Sequence, residues 1–223
     1  MSTTKYPRTY HLPFSKGLTN DDRKVDDDWW EYFKDKELIL SEKLDGSNSC
    51  IMKSGVFARS HSAPTTNAWD INLIEKGGIY DQIKNLFSEN ECIYGENMYA
   101  IHSIKYYKLP SYFFIFAIRN DKRWYSWDEV VEISEMSNIP TVPFLEKRVF
   151  SSPEDLENTI LSYMKKGSRY GDTIEGVVVR NADSFLLEDF SKNVVKYVRK
   201  NHVQTDEHWK KNWERAKLIY EYF

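Results

Sequence analysis

Lys43 is the residue around which chemistry can be built in this chain. It lies in the stretch Ser41-Glu42-Lys43-Leu44-Asp45-Gly46-Ser47-Asn48. The apolar run Leu38-Ile39-Leu40 before it reads as a short buried strand, and Gly46, Ser47 and Asn48 break that strand into a tight turn. A lysine at such a bend sits beside the low-dielectric floor of a pocket. Burial lowers a lysine's pKa, and the neutral amine is a nucleophile. Asp45 could orient that amine or hold a metal-bound water. Glu42 could accept a hydrogen bond from a base amino group. The same letters also describe a surface turn with ordinary charges, so the rest of the chain has to decide.

The elements that position this stretch can be read in order. Residues 1–20 are rich in Tyr, Pro, Thr and His and have no clear period; Tyr6-Pro7 and Leu12-Pro13 favour extended backbone. Asp21–Asp28 is a charged run, and Trp29–Phe33 reads as a short helical segment capping a core edge. After the lysine stretch, Cys50–Met52 and Val56–Ala58 form a predicted hairpin around Lys53-Ser54-Gly55. Arg59 and His61 follow at the strand end, where they either face the same cleft as Lys43 or sit in a solvated loop. Ile71 to Phe87 has helical spacing interrupted near Gly77-Gly78. Cys92-Ile93-Tyr94 is a strand ending in Gly95-Glu96-Asn97, a place where a carboxylate can accept from a ribose hydroxyl. His102 reads as a satisfied structural histidine.

Tyr112 to Ile118 is an unbroken aromatic and aliphatic run, predicted to be a central strand. Phe114 and Phe116 share a face by two-residue alternation, so one of them could stack on a purine, with Phe114 the better core residue. A helix is expected over Trp127–Met136, an extended strand over Ile139–Pro143, and a second helix from Ser152-Pro153 to Lys166, stopped by Gly167. Ile174–Arg180 is a β-branched strand. Alternation points Glu175, Val177 and Val179 one way, and a carboxylate so placed must be paired or metal-linked. Val194–Lys200 is the last strand, followed by an amphipathic tail with His202, His208, Trp209 and Trp213.

Composition bounds the function. Net charge is −3, from 31 Lys+Arg and 34 Asp+Glu, so bulk attraction to a polyanion is excluded and a nucleic-acid surface must be a local patch. Aromatic residues make up 15 %, enough to fill a core and still leave rings for stacking on bases. Cys50 and Cys92 have neither metal-ligand spacing nor a disulfide framework, and read as buried free thiols of a reducing compartment. The N-terminus carries no hydrophobic leader and no run approaches membrane length, so a soluble, cytoplasmic protein is expected. At 223 residues, with no repeat and no linker, a single domain over 1–223 is expected.

Taken in order, these pieces resemble the covalent nucleotidyltransferases, namely ATP-dependent polynucleotide ligases and mRNA capping enzymes. The pattern is Glu-Lys-x-Asp-Gly at Glu42–Gly46, Arg-Ser at Arg59, and Gly-Glu at Gly95-Glu96. The aromatic strand Phe113–Ile118, Glu-Gly-Val-Val at Glu175–Val178 and the lysine strand at Lys196 complete it. The wording is most similar to RNA ligases: Glu42–Asn48 looks like their Glu-Lys-x-x-Gly-[Ser/Thr]-Asn. Gly95–Ile104 and Lys196–Arg199 look like the branch typified by the Deinococcus RNA ligase. The resemblance implies an α+β nucleotidyltransferase domain, ATP-grasp-like, with antiparallel β-sheets flanking a nucleotide cleft. It implies an ATP-dependent RNA ligase that forms lysyl-AMP on Lys43, moves AMP to a 5′-phosphate and seals that end to a 3′-hydroxyl. The break would lie in duplexed or structured RNA, as in RNA repair.

By the same resemblance Lys196 and Mg²⁺ (or Mn²⁺) would neutralise phosphates, and Glu175 would hold the metal or its waters. Glu96 would bind ribose, Phe116 would stack on adenine, and Glu42 would read its amino group. Asp45, Asn48 and Arg59 would complete the ATP site. Arg59, Arg180, Arg199 and Lys200 would touch RNA. One departure stands out: relatives often place a second lysine two residues after the first in the last motif, and here that residue is Val198. No oligonucleotide-binding barrel or C-terminal domain is expected beside the core, and no obligate protein partner. The rival readings are a DNA ligase, a GTP-dependent capping guanylyltransferase, and an inactive nucleic-acid-binding module.

Overall fold

The computed structural model describes residues 5–19, 22–59, 63–75, 78–86, 88–200 and 213–223. Its elements in chain order are β1 (Tyr10–His11), β2 (Glu37–Lys43), β3 (Ser47–Met52), β4 (Gly55–Ala58), α1 (Ala68–Glu75), α2 (Ile79–Ile83), β5 (Cys92–Asn97) and β6 (Phe113–Arg119), followed by β7 (Arg123–Trp124), α3 (Trp127–Ser137), β8 (Phe144–Val149), α4 (Pro153–Lys166), β9 (Gly176–Asn181), β10 (Phe185–Leu186) and β11 (Val194–Val198).

The strands pair into two sheets, ordered β1-β11-β9-β2-β8 and β10-β7-β6-β5-β3-β4. Every named pairing is antiparallel except β1 with β11. This is the expected α+β architecture. The strand that ends in Lys43 opposite Gly176 belongs to the first sheet, and the strand that starts at Ser47 opposite Asn97 belongs to the second. The turn Leu44-Asp45-Gly46 is therefore the crossing point between sheets, and a cleft opens beside it.

β2 is apolar on both faces because both faces are covered. Leu38 and Leu40 pack with Val177, Val179, Val195 and Tyr197, over which α4 lays Leu156 and Ile160. Ile39 points into the other core, built around the second sheet and α1–α3. Each such fully buried aliphatic side chain contributes about 1.5–3 kcal/mol relative to exposure. A third cluster joins Cys50, Cys92, Tyr94, Ala117, Trp124, Phe190 and Val194, with Phe116 and Val178 against it. Both cysteines are free and buried there.

The helices start where the sequence marks them. Ser152 caps α4 by accepting from the Asp155 N–H at 3.2 Å, with Pro153 in the first turn. Gly167 ends it at φ +81°, a left-handed conformation that glycine favours. Ser126 and Glu129 form a reciprocal capping box on α3. α1 and α2 are separated near Gly78, at φ +62°. Gly77 and Phe87 lie outside the described residues.

Two expectations change. The strand foreseen over Ile139–Pro143 is displaced to β8, Phe144–Val149. Pro140 and Pro143 have no N–H to give a ladder. Their carbonyls accept from Ile115 N at 2.9 Å and Glu42 N at 2.8 Å, so the segment ties β6 of one sheet to β2 of the other. In the tail, His202, His208 and Trp209 lie outside the described residues, and the helical piece beyond Trp213 is one 3₁₀ turn, Ile219–Tyr222. Among the described residues no helix is long and apolar enough to cross a membrane.

Candidate active site

The cleft between the sheets has a volume of about 580 Å³. From the first sheet Ser41, Lys43, Val178, Arg180, Val194 and Lys196 line it; from the second come Asn48, Glu96, Phe116 and Trp124. That size and mixed lining suit a nucleotide.

Strand alternation explains who faces inward. In the ladders, Lys43 pairs with Gly176, and Ser41 pairs with Val178, which pairs in turn with Lys196. Residues directly opposite one another share a face, so Lys43 and Lys196 project to the same side. Gly176 is required there: a Cβ would lie 2.1 Å from the Tyr197 carbonyl oxygen.

Lys43 Nζ donates to both carboxylate oxygens of Glu175, at 2.8 and 2.7 Å. The Glu175 side chain is only 6 % exposed. The alternation that grouped Glu175 with Val177 and Val179 fails because β9 begins at Gly176; Glu175 precedes the ladder and turns to the Lys43 amine, while both valines enter the core. The expected neutral amine is also corrected. Burial alone would lower the Lys43 pKa, but Glu175, then Glu96 and Asp45, outweigh it and push it above the ordinary lysine value. Lys43 is thus an ammonium in the free protein. Lys196 moves the other way, lowered by burial and by the charge on Lys43.

The turn that carries Lys43 is clamped by the segment after β5. Asp45 Oδ2 accepts from the N–H groups of Ser103 and Ile104, at 2.8 and 2.7 Å. Tyr106 Oη accepts from Asp45 N at 3.0 Å, and Ser47 Oγ lies 3.1 Å from His102 Nε2. Asp45 therefore fixes the turn, and His102 is a structural partner. Gly46 N–H donates to Glu96 Oε1 at 3.1 Å, tying the turn to the strand that carries Glu96.

Burial pushes the Glu96 carboxyl up to about 8; Lys43 pulls it down, while Glu175 and Asp45 add to the rise. Its ordinary value is 4.5, so between pH 4.5 and 8 the folded state binds the extra proton. Stability contributed by this group is present below that window and falls as pH rises through it, at no more than about 1.4 kcal/mol per pH unit. Thermal melts of the free protein from pH 5 to 8 are expected to fall more steeply for wild type than for Glu96→Gln. Equal slopes would mean that Glu96 ionises freely.

Among the described residues no three His, Cys, Asp or Glu side chains form a ready metal cage. Glu175 and Asp45, with the Glu96 carboxyl that burial keeps protonated up to about pH 8, still place hard oxygens near the Lys43 amine. Such oxygens would suit Mg²⁺ or Mn²⁺ retaining most of its waters, and Glu175, joined by Glu96 once it ionises, would be the residues to hold it.

The remaining expected residues divide. Phe116 lines the cleft and Phe114 is fully buried. They part company because the β5–β6 register shifts between Tyr94 and Gly95: Gly95 opposes Ile115 and Tyr94 opposes Ala117, leaving Phe116 as the extra residue of a bulge. Asn48 lines the cleft, and its Oδ1 is buried with no hydrogen-bond partner among the described residues. Arg59 is exposed at the cleft edge, and His61 lies outside the described residues. Glu42 also lines the cleft, although it lies on the other face of β2 from Lys43: its Oε2 accepts from Arg169 N at 3.1 Å, tying it to the loop after α4, and its Oε1 is buried with no hydrogen-bond partner among the described residues.

Arg180 is 4 % exposed and donates to the Tyr125 carbonyl oxygen at 2.6 Å. It is a wall of the cleft and not the open RNA contact foreseen. Arg199 and Lys200 do not line the cleft. Arg199 N–H donates to the Glu175 carbonyl oxygen at 3.0 Å, and Lys200 is exposed beyond the end of β11. Val198, where relatives often have a second lysine, is buried.

Lys5, Tyr6, Arg8 and Asp22 also line the cleft, and sequence reasoning missed them. Tyr6 sits 5.0 Å from the Phe116 ring centroid and 5.1 Å from Tyr94 and Phe190. The aromatic letters of residues 5–10 were the only available signal, and they have no period to place them.

The sequence profile of the RNA ligase family matches residues 36–198. No curated protein sequence is significantly similar to the chain. Among solved structures, a mutant Naegleria gruberi RNA ligase with ATP and Mn aligns with TM-score 0.61 and 16 % identity, over 87 % of this chain and 60 % of that one. An archaeal ATP-dependent RNA ligase gives 0.58 and 15 %, over 87 % and 48 %. A putative ATP-dependent DNA ligase from Aquifex aeolicus gives 0.55 and 22 %, over 87 % and 50 %. At these identities the likeness is one of fold, that of ligase nucleotidyltransferase domains. The chain spans 48–60 % of the length of these structures.

Proposed function

Given that the chain belongs to the RNA ligase family, we propose that it is an ATP-dependent RNA ligase whose covalent intermediate is AMP on Lys43. The observation that carries the reading is the Lys43 ammonium held by Glu175 inside an intersheet cleft, with Lys196 on the same face. The base would lie between Phe116 and Val178, one from each sheet, with Tyr6 and Arg180 at the inner wall. Glu96 would meet the ribose, and the phosphates would run toward Lys196.

Glu175 is within hydrogen-bond reach of Lys43 Nζ and is the group that can take its proton. The freed amine attacks the α-phosphorus. A nitrogen–phosphorus bond forms, the bridging oxygen–phosphorus bond breaks, and pyrophosphate leaves with the electron pair. A 5′-phosphate oxygen of the RNA then takes the adenylyl group from Lys43, which recovers a proton. A 3′-hydroxyl attacks the activated phosphorus and AMP departs. A divalent cation bound by Glu175 and Glu96 would draw charge from the phosphate oxygens. The protein's share is otherwise placement and charge neutralisation, which phosphoryl transfer chiefly demands.

The substrate is proposed to be a 5′-phosphate and a 3′-hydroxyl at a break in duplexed or structured RNA. The test is incubation with ATP or GTP and a divalent cation, read by intact mass, followed by sealing of matched nicks with RNA or DNA on each side. A single adenylyl adduct and preferential sealing of RNA are expected. A guanylyl adduct would make it a capping-type enzyme, DNA-selective sealing a DNA ligase, and no adduct an inactive binding module.

A further inference from the structure

The strand that carries Lys196 is not the edge of its sheet. β1 pairs with it in parallel, placing His11 opposite Lys196, and Leu12 N–H donates to the Lys196 carbonyl oxygen at 2.8 Å. The chain then folds back over β1. His11 N–H donates to the Arg23 carbonyl oxygen at 2.8 Å, and Val25 N–H to that of His11 at 3.0 Å. This return brings Asp22 to the cleft wall.

Asp22 is fully engaged there. Its Oδ2 accepts from Thr19 N and Thr19 Oγ1, at 3.0 and 2.9 Å. Its Oδ1 lies 3.3 Å from His11 Nε2 and 3.4 Å from Lys196 Nζ. His11 is 1 % exposed, and its Nδ1 lies 2.8 Å from Ser15 Oγ, which in turn accepts from Val198 N–H at 3.0 Å. A buried row of polar contacts thus runs from the backbone of β11 through Ser15, His11 and Asp22 back to the lysine on the same strand.

Val198 is the next inward residue on β11 and carries no charge, so this strand offers the phosphates one cation. A lysine on a flexible four-carbon stem is poorly placed by its backbone alone. We propose that Asp22 is a positioning residue that holds Lys196 toward the phosphate end of the cleft, with His11 holding Asp22 in turn. This rests on the reading of the cleft as the site of adenylylation. It brings His11 and Asp22, which precede the family-matched region, into the catalytic apparatus.

The test is a double-mutant cycle on single-turnover adenylylation with ATP and Mg²⁺, using wild type, Asp22→Asn, Lys196→Ala and the double variant. Asparagine keeps the shape of Asp22 and removes its charge. Asp22→Asn is expected to slow the step by about 10–30-fold, and by less than about 3-fold when Lys196 is already alanine, because residues that act through one another are non-additive. Asp22→Glu is expected to recover part of the rate.

Wild-type rate in Asp22→Asn, or losses that multiply in the double variant, would overturn the proposal. The second result would mean that Asp22 supports the fold generally. Should Asp22→Asn not fold, Thr19→Val serves, since it removes one donor to Asp22 and leaves the carboxylate; its smaller loss must likewise vanish beside Lys196→Ala, and persistence there overturns the proposal. A wild type that takes no AMP overturns the reading of the cleft itself. A wild type that does, with Asp22→Asn unimpaired, overturns only the role of Asp22.

Discussion

Lys43→Ala is expected to abolish the adenylyl adduct while the protein still folds. Among the residues lining the cleft, Lys43 alone has its amine on both oxygens of Glu175. Removing the nucleophile of a covalent mechanism costs on the order of 10⁶ in rate. The fold should tolerate the change because β2 is held by Leu38, Ile39 and Leu40, which are fully buried, and by pairing on both edges. The cost lies in Glu175, left without its cation; leaving one member of a buried pair uncompensated costs about 3–5 kcal/mol when the charge cannot adapt. Here it can adapt, since burial already raises the Glu175 pKa and the carboxyl can take a proton.

Lys43→Arg separates the two effects. It keeps a cation for Glu175 but offers a guanidinium that does not deprotonate. That variant should melt near wild type and still form no adduct. An adduct on either variant, read by intact mass, would move the nucleophile to another residue.

What the sequence disclosed depended on whether the signal was local. The Lys43 turn, the helix α3, the start of α4 at Ser152-Pro153 and the strands at Cys92 and Phe113 follow from residues within a few positions of one another, and all are present in the structure. Phe116 does line the cleft, although the simple alternation that grouped it with Phe114 breaks at a bulge set by strand pairing. Glu175 does meet Lys43, but not with the orientation that alternation gave it, because nothing local marks Gly176 as the first residue in the ladder. Alternation does hold in β2 and puts Glu42 on the other face from Lys43, yet Glu42 still reaches the cleft lining, which no local signal foretells.

The protonation of Lys43 was out of reach, since it depends on three carboxylates contributed by the segments at 45, 96 and 175. The same holds for His11, Ser15 and Asp22, whose place beside β11 comes from contacts across more than 170 positions, as with Val198 N–H on Ser15 Oγ, 183 residues apart. Composition said nothing about it.

Glu175→Gln should slow adenylylation by about 10²–10³-fold, the usual worth of one preorganised electrostatic contact. The size of the loss is less informative than its sign. Glu175 has two effects on Lys43 that oppose each other. As the principal anion at the amine it raises the lysine pKa and keeps it protonated, which alone would make it an inhibitor of attack. As the carboxylate at 2.7–2.8 Å from the amine it would, in the proposed mechanism, also accept the proton and help to hold the metal. Glutamine keeps the shape and removes the charge, so the Lys43 pKa must fall. If the first effect dominated, Glu175→Gln would react faster than wild type near neutral pH. If the second dominates, the variant is slow at every pH, while the rise of its rate with pH moves to lower pH because less alkali is needed to free the amine. The second outcome is expected, since a freed amine with no acceptor for its proton and no charge to hold a cation still faces an unneutralised triphosphate. Single-turnover rates from pH 6 to 9 distinguish the two cases. A variant as fast as wild type would reduce Glu175 to a resting-state clamp and transfer the metal-holding role to Glu96.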